Sequence, residues 1–474
     1  MNLDQATKIL LGLEVHITVN SQKKVFNWEN TYKGDTPPNS QVGSWELGYL
    51  GVLPIINPEV IQLGLRLATA LEMKISPTIL FDRKIYNYFD LPKGYQITQQ
   101  ELPFATLGYL PVIKGNKVEK IPIEVLQLEE DTAKSTYNEE GVRLDFNRAG
   151  NPLIELVTAP VFQQVETVLI FIKQLQNLLR YLDISEAKME RGQLRVDLNF
   201  SLQLGKNYST PRYEIKNLNS LANVEKAIKY ETNKHHLLSS QGKNPPVSQT
   251  LGFDEAKQTT ITHREKTSYY YLPEVNIPPI KLKSQEIKKI KNNLPKLPWL
   301  YWEELKENDI QTANGLIKNP SLLKIFNLLA KKKMLKKDDS KGWLTFYLNY
   351  LNPHLENDNI GWFAKKIKSC HELFNYWKSK KLGNEEINAT IRELKETKKT
   401  FATVVKRYEK KVNLDENLVE RELKSLWNPD LAEKLAIDRQ KVQNYLLGQL
   451  KKKFSDYPLQ EIITVITNFL KEKK

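Results

Sequence analysis

The chain has 474 residues, of which 40% are hydrophobic and 27% are charged, and its formal net charge is +14. This composition is typical of a globular protein, and the length predicts two or three domains. The single cysteine, Cys370, excludes an internal disulfide and a cysteine-based zinc cluster. We expect a cytoplasmic protein with no membrane partner, because no apolar run is long enough to span a bilayer and the N-terminal residues lack a secretory pattern.

The first predicted element is an apolar strand, ILLGLEVHITV, which two polar residues interrupt. Successive side chains of a strand point to opposite faces, so Glu14 and His16 share the face opposite Leu13 and Val15. Both are possible metal ligands. For an isolated Glu-x-His pair, however, a solvated strand face is the more frequent explanation.

A helix and a cation-rich stretch follow. The helix is predicted in NPEVIQLGLRLATALEM, with Asn57 as N-cap and Pro58 at its first position. The next stretch, FDRKIYNYFDLPKGYQ, contains cations that alternate with aromatic residues and a glycine turn. These cations are Arg83, Lys84 and Lys93, and with Arg148 of DFNRAGNPLIEL they are candidate phosphate ligands. Each of these signals is weak by itself.

Three further predicted strands also have one apolar and one polar face. In IPIEVLQLEED, Glu129 lies on the polar face and Glu130 points to the other side. The polar face of RVDLNFSL carries Asp197 and Asn199, and that of RYEIKN carries Glu214. Solvated faces usually carry Thr, Lys, Ser and Gln, so this pattern favours an oxygen-rich site for Mg²⁺ or Mn²⁺.

The chain is predicted to change character near residue 290. Up to that point a long amphipathic helix, VETVLIFIKQLQNLLRYL, packs on antiparallel strands, which indicates an α+β fold. Proline-rich stretches between Leu272 and Pro298 then precede segments of helical period. We therefore predict a sheet domain over residues 1–292, a helical domain over 293–407 and a helical tail domain over 408–474.

The positive charge is concentrated in the helical part. Residues 1–292 carry 35 Lys and Arg against 32 Asp and Glu, a net charge of +3, whereas residues 293–474 carry 35 against 24, a net charge of +11. This excess indicates a polyanion such as nucleic acid, unless the lysines are only a solvated face. In DRQKVQNYLLGQLKKKF we expect Tyr445, Leu446 and Leu450 to pack inward and Lys451–Lys453 to stay exposed.

Several common catalytic motifs are missing from the sequence. It contains neither a P-loop nor a G-x-G-x-x-G motif, so any ATP must bind on a sheet with metal ions. It also lacks a G-x-S-x-G elbow, and Cys370 lies in a lysine-rich helical context that is more typical of a packed or surface thiol than of a nucleophile.

The motifs together resemble those of the B subunit of bacterial aspartyl/glutamyl-tRNA(Asn/Gln) amidotransferase. The resemblance runs in order from GLEVH through FDRKIYNYFDLPKGYQIT, LEEDTAK, NRAGNPLIELV and MERGQLRVDLNFS to EIKNLNS and YYYLPE, and covers nearly all of the first 280 residues. It implies a glutamine-synthetase-like antiparallel sheet in a cradle domain, followed by a helical domain and a small helical tail that contacts tRNA.

The resemblance also implies a reaction and partners. Such an enzyme uses ATP to phosphorylate the side-chain carboxylate of glutamate on glutamine tRNA, or of aspartate on asparagine tRNA, and then replaces the phosphate with ammonia. A separate glutaminase (A) subunit supplies the ammonia, and a small C subunit completes a heterotrimer. The implied cofactor is Mg²⁺ or Mn²⁺, ATP is the co-substrate, and no zinc is expected.

Site residues follow from matching these motifs. The residues matched to divalent-metal ligands are Glu14, His16, Glu129 and Glu155. Those expected near phosphate or the ammonia exit are Lys84, Tyr86 and Lys93. We assign catalytic roles to the four metal ligands with Lys84 and Tyr86. Cofactor binding is assigned to Arg83, Lys84, Lys93 and Arg148, and, from strand facing, to Asp197, Asn199 and Glu214.

The sequence departs from the family pattern in several places. Gln127 replaces a histidine near the expected metals, and the cysteine pairs that bind structural zinc in some members have no counterpart. The stretch after Arg264 is shorter than usual, and Ser268-Tyr269-Tyr270-Tyr271 replaces an acidic-arginine pattern. The four metal-ligand candidates remain.

Two other functions stay open at this point. The chain could be a non-catalytic tRNA-binding scaffold, or a self-contained ATP-dependent ligase that adds free ammonia to a small acid. The basic helical half disfavours the small-acid ligase. The clustered carboxylates disfavour the scaffold, because acidic groups repel RNA unless metal ions cover them.

Overall fold

The computed structural model describes residues 7–34, 36–204, 208–241, 243, 248–264, 269–355, 359–409, 415–454, 457 and 459–473. The chain forms two compact units, Met1–Leu323 and Lys324–Lys474. The first unit contains all the described strands together with helices, and the second is helical. The α+β class is confirmed, whereas the domain boundaries at residues 292 and 407 stay predictions.

The strands are β1 (Thr7–Thr18), β2 (Lys74–Ile75), β3 (Thr78–Ile79), β4 (Asp82–Ile85), β5 (Tyr95–Thr98), β6 (Ala105–Lys114), β7 (Lys117–Glu130), β8 (Lys134–Asn138), β9 (Gly141–Asp145), β10 (Pro152–Thr158), β11 (Leu194–Leu204), β12 (Tyr208–Ser209), β13 (Tyr213–Lys216), β14 (Thr250–Asp254), β15 (Thr259–Arg264), β16 (Tyr270–Pro273) and β17 (Ile280–Lys281).

The helices are α1 (Pro58–Ala70), α2 (Val165–Tyr181), α3 (Leu221–Ser240), α4 (Ser284–Asn293), α5 (Pro298–Leu305), α6 (Ile310–Ile317), α7 (Pro320–Lys331), α8 (Ser340–Phe346), α9 (Gly361–Lys365), α10 (Ile367–Lys378), α11 (Asn384–Glu396), α12 (Phe401–Glu409), α13 (Glu416–Leu426), α14 (Pro429–Ile437), α15 (Arg439–Lys453) and α16 (Leu459–Glu472). Among the described residues, no helix combines the length and the apolar character that crossing a membrane requires.

One large sheet organises the first unit, in the strand order β15-β14-β13-β11-β1-β10-β7-β6-β2, with β12 paired to β11. Every neighbouring pair in it is antiparallel except β13 and β14, which are parallel. The sheet is therefore mixed, although most of its strand pairs are antiparallel as expected. Helix α3 joins these two strands, and such a crossover returns the chain to the end where the first strand began.

The two faces of β1 differ as its sequence predicts. Leu11, Leu13, Val15 and Ile17 are fully buried, whereas Glu14, His16 and Thr18 on the other face are only partly buried. Helix α2 buries its predicted apolar stripe, Val168, Phe171, Ile172, Leu175, Leu178 and Leu179. Helix α1 begins as predicted, because the Asn57 side chain accepts a hydrogen bond from the Glu59 backbone N–H. The apolar face of the sheet is thus buried in the core, and the polar face is the one that can carry a functional site.

The first unit continues beyond residue 292. Trp302 of α5 and Ala313 and Ile317 of α6 form a small buried cluster with Ile113 of β6. This packing joins the first helices after the proline-rich stretch to the sheet. Proline spacing alone does not reveal it, because the contact spans almost two hundred residues of sequence.

The second unit is helical, as predicted, with two local differences. One segment of continuous helical period, NEEINATIRELKETKKTFATVVKRYEKK, forms two helices, because α11 ends at Glu396 and α12 begins at Phe401. In α15, Tyr445 is 49% exposed, so its inward packing is wrong, and Val442 is buried with Leu446 and Leu450 instead. These three residues are spaced by four and lie on one helical face, about 100° of rotation from Tyr445.

Candidate active site

Four neighbouring strands bring a group of acidic residues and one histidine together on the polar face of the sheet. Glu14 of β1 lies directly opposite Asp197 of β11, and His16 of β1 lies opposite Glu155 of β10. Glu129 is contributed by β7, the next strand beyond β10. Side-chain alternation on each strand directs all five toward the same face.

His16 is the centre of this group. Its Nε2 atom lies 3.6 Å from Glu14 Oε1, 3.9 Å from Glu155 Oε2 and 4.0 Å from Glu129 Oε2. Potential ligand atoms within 4.8 Å of one another form two overlapping sets, which share the imidazole: Glu14, His16 and Asp197, and His16, Glu129 and Glu155. We call these five residues the carboxylate cluster.

Burial sets the protonation of the cluster in the absence of a cation. It raises the pKa of Glu14 to about 7, with a further contribution from Asp197, and it lowers the pKa of His16 to about 4. Burial also raises the pKa of Glu155, and the nearby Glu129 adds to the shift. A neutral imidazole therefore lies among crowded carboxylates.

These properties fit a divalent cation. A neutral imidazole can donate its nitrogen lone pair, and the crowded carboxylates would be relieved by a positive ion. The donor set is mostly oxygen, which suits Mg²⁺ or Mn²⁺ better than structural zinc. Two overlapping sets are compatible with more than one ion.

Lys84 and Tyr86, of the segment beginning at β4, line a cavity of about 360 Å³ together with Glu14 and His16. Burial disfavours the Lys84 ammonium, but Glu129 and Glu155 raise its pKa above the ordinary value, so it stays charged. The Tyr86 hydroxyl donates to Gln96 Oε1 at 3.1 Å, and burial raises its pKa, so it stays protonated.

Two arginines line the same cavity. Arg195 Nη2 lies 3.0 Å from Asp131 Oδ1, and its Nε is buried with no hydrogen-bond partner within the described ranges. Arg148 donates to the backbone oxygens of Thr132 at 2.9 Å and Ala133 at 2.7 Å. The cavity thus combines acidic and cationic side chains, as the binding of metal ions with phosphate requires.

Comparison with known proteins identifies the family. The family model described as the GatB/GatE catalytic domain matches residues 9–288, a span that includes the whole carboxylate cluster. The chain belongs to this family. It is similar to proteins named as the B subunit of aspartyl/glutamyl-tRNA(Asn/Gln) amidotransferase, among them those of Thermosipho melanesiensis (34% identical, over 94% of this chain and 95% of the relative), Ureaplasma urealyticum (33%, over 94% and 95%) and Legionella pneumophila (35%, over 73% and 74%).

Two of the predicted phosphate ligands of this GatB/GatE-family chain do not line the cavity. Arg83 forms two hydrogen bonds with the buried Glu274, at 2.6 and 3.0 Å. Lys93 is almost fully buried, lies 2.6 Å from Glu130 Oε2 and rests 4.2 Å from the centre of the Trp45 ring. Both cations are already neutralised by buried carboxylates, so the geometry does not support the prediction that they bind ATP.

Of the three residues predicted from strand facing, only one lines the cavity. Asp197 lines the cavity, but Asn199 and Glu214 lie opposite each other on β11 and β13, one step further along the sheet. Lys216 joins these groups, because its Nζ lies 2.7 Å from Asp197 Oδ2 and 2.8 Å from Glu214 Oε1.

The cavity residues that were not among the predicted site residues include four with charged or amide side chains close to the predicted ones: Gln96, Asp131, Arg195 and Lys216. Arg195 alternates with Asp197 on β11, and Lys216 follows Glu214 on β13, so strand facing contained the signal for both. For Gln96 and Asp131 no comparable pattern exists, because their roles depend on partners distant in sequence.

Proposed function

We propose that this chain is the component of a tRNA-dependent amidotransferase that activates and amidates an amino acid already attached to tRNA. The substrate is glutamate on glutamine tRNA, aspartate on asparagine tRNA, or both, and the enzyme is an ATP-dependent carbon–nitrogen ligase of the cytoplasm. The observation that carries the proposal is His16 within 4.0 Å of three carboxylates beside a cavity lined by cations.

The residues that would hold Mg²⁺ or Mn²⁺ are Glu14, His16, Glu129, Glu155 and Asp197. When bound, such ions neutralise the charge of a triphosphate and align donor and acceptor oxygens. The carboxylate cluster keeps this position because its members come from adjacent strands rather than from loops. Without bound cations, the negative charges of the cluster would repel a substrate carboxylate.

The cationic residues of the chain have complementary roles. The Lys84 ammonium would bind a phosphate oxygen, since it stays charged in the cavity. Arg195 Nε has no hydrogen-bond partner among the residues that the structure describes, and it would orient an anionic substrate group. Tyr86 stays protonated, and its one O–H, which donates to Gln96 Oε1, would hold the Gln96 amide in position at the cavity. Positioning of this kind supplies most of the catalysis in phosphoryl transfer.

The partners belong to the same proposal. A separate glutaminase would deliver ammonia, and a small third component would complete the heterotrimer. The sheet unit would be a cradle of the glutamine-synthetase type. Cys370 is 1% exposed and burial raises the pKa of its thiol, which supports a packed thiol rather than a glutamine-hydrolysing nucleophile in this chain.

The test is amide formation by the assembled complex. The complex is mixed with ATP, glutamine and either Glu-tRNA or Asp-tRNA, and the amino acid released from the tRNA is identified. Glu129→Gln should abolish amide formation, whereas Glu124→Gln, on the exposed part of β7, should not. Amidation of a free acid without tRNA would instead support the small-acid ligase, and tRNA binding without any amide would support the scaffold.

A further inference from the structure

Three aromatic side chains are exposed together beside the cavity. Tyr88, Phe89 and Tyr137 are 36%, 43% and 64% exposed. The ring centres of Tyr88 and Phe89 are 4.3 Å apart with a 30° angle between planes, and Tyr137 lies edge-on to Phe89 at 6.4 Å. We call these three residues the aromatic platform.

The platform is held together by contacts between two separate segments. Tyr88 and Phe89 lie in the loop between β4 and β5, and Tyr137 lies on β8 of the β8–β9 hairpin. The Tyr88 and Tyr137 hydroxyl oxygens are 3.2 Å apart, and the Ala133 backbone N–H donates to the Asp90 carbonyl at 3.2 Å. Because both segments are tied in this way, the rings are arranged before any ligand binds.

The platform is continuous with the candidate active site. Tyr88 lines the cavity that contains Glu14 and His16, and with Phe89 it also lines a shallow depression formed by residues 87–89 and 91–94. A ligand whose reactive end enters the cavity would therefore place its adjoining part over these rings.

Resting on the function proposed above, we propose that Tyr88, Phe89 and Tyr137 form a stacking surface for the terminal adenine of the misacylated tRNA. The amino acid is esterified to the ribose that carries this base, so a side-chain carboxylate in the cavity leaves the base only a few bonds outside it. The 3′ end of tRNA is single-stranded, and proteins commonly bind unpaired bases by stacking them on aromatic side chains.

The test uses the assembled amidotransferase and four variants. Phe89→Ala and Tyr137→Ala remove one ring each, Tyr137→Leu keeps apolar bulk without a ring, and Tyr137→Phe is the matched control that keeps the ring. Each variant is assayed for the KM of misacylated tRNA, the KM of ATP and kcat. In a second arm, tRNA with 2-aminopurine in place of the terminal adenine reports stacking by fluorescence quenching.

We expect Phe89→Ala, Tyr137→Ala and Tyr137→Leu to raise the tRNA KM about tenfold, the loss expected for one stacked base, and to reduce quenching. Tyr137→Phe should retain both properties, and the ATP KM should not change. The proposal is overturned if the ATP KM rises instead, since the rings would then bind the base of ATP. Unchanged tRNA KM and quenching in all variants would also overturn it.

Failure of the proposed function gives a different result. In that case the wild-type complex forms no amide on either misacylated tRNA, and the fluorescence arm alone decides the platform. Quenching that Tyr137→Ala reduces and Tyr137→Phe preserves would still support base stacking. Quenching that is absent in the wild type would overturn it.

Discussion

His16 and Glu155 lie directly opposite each other on β1 and β10, and His16 Nε2 is 3.9 Å from Glu155 Oε2. This contact is not a simple ion pair, because burial lowers the pKa of His16 to about 4 and leaves the imidazole neutral at physiological pH. A neutral imidazole beside a carboxylate is the arrangement of two ligands of one cation. The relationship motivates the first prediction.

Glu14→Ala, His16→Ala and Glu129→Ala should each abolish tRNA-dependent ATP hydrolysis while tRNA binding survives. Loss of a group that supports a metal ligand costs about 10–100-fold, so loss of a ligand itself should cost at least about 100-fold. Phosphate release measures the reaction, and calorimetric titration with Mn²⁺ measures the site. Normal turnover by any folded variant would remove that residue from the cluster.

Arg83→Ala should lower stability rather than ATP affinity. Arg83 pairs with Glu274, whose side chain is fully buried, and truncation leaves this carboxylate without its cation. Because Arg83 is itself a quarter exposed, we expect a loss of about 2–3 kcal/mol in the free energy of unfolding. Chemical denaturation measures it, and the double variant Arg83→Met/Glu274→Met should recover part of the loss.

A raised ATP KM at unchanged stability would contradict this interpretation of Arg83. It would restore the prediction from sequence that the guanidinium binds phosphate.

Gly150→Ala should be much more destabilising than Gly51→Ala. Both glycines have positive φ, +76° and +79°. A side chain at Gly150 would overlap the buried Glu46 carboxylate, which lies 3.9 Å from the buried Lys24 ammonium, whereas Gly51 has open space. Backbone strain alone should cost about 1 kcal/mol, and disruption of the buried pair about 3–5 kcal/mol more.

Urea denaturation of the two glycine variants measures this difference directly. Equal losses would mean that the Lys24–Glu46 pair moves aside at little cost.

Replacing Lys451, Lys452 and Lys453 with Gln should weaken tRNA binding without changing the chemical step. All three are exposed at the end of α15, although Lys453 already contacts Glu422 at 2.6 Å. Loss of about two phosphate contacts should raise the tRNA KM roughly tenfold near physiological salt. It should also lower the slope of log KM against log salt concentration by about two. The KM is measured across a salt series, with kcat as the internal control.

The matched variant replaces the exposed residues Lys331, Lys332 and Lys333, at the end of α7, with Gln. If only this second variant changes the tRNA KM, the RNA contact lies in the region of residues 331–337. A tail variant with normal salt dependence would show that Lys451–Lys453 are only a solvated face.

Two side chains, Lys93 and Tyr445, have different surroundings in the structure from those that the sequence predicts. Lys93 resembles a phosphate ligand because it precedes a glycine turn, yet it is neutralised by Glu130, which is 37 residues away. The inward packing predicted for Tyr445 is also wrong. A helical period specifies residues that share a face, but the position of that face relative to the core is set by the neighbouring helices.

The sequence by itself determined which residues of each strand point to the polar face, and therefore that Glu14, His16, Asp197 and Glu129 are available for one site. Alternation is a local property of an extended chain, so it needs no partner. Only the tertiary structure decided which cations remain in the cavity, because Lys84 and Arg195 line it whereas Arg83 and Lys93 do not. The charge that a group presents depends on the carboxylates that the fold brings within a few ångströms, often from more than a hundred residues away.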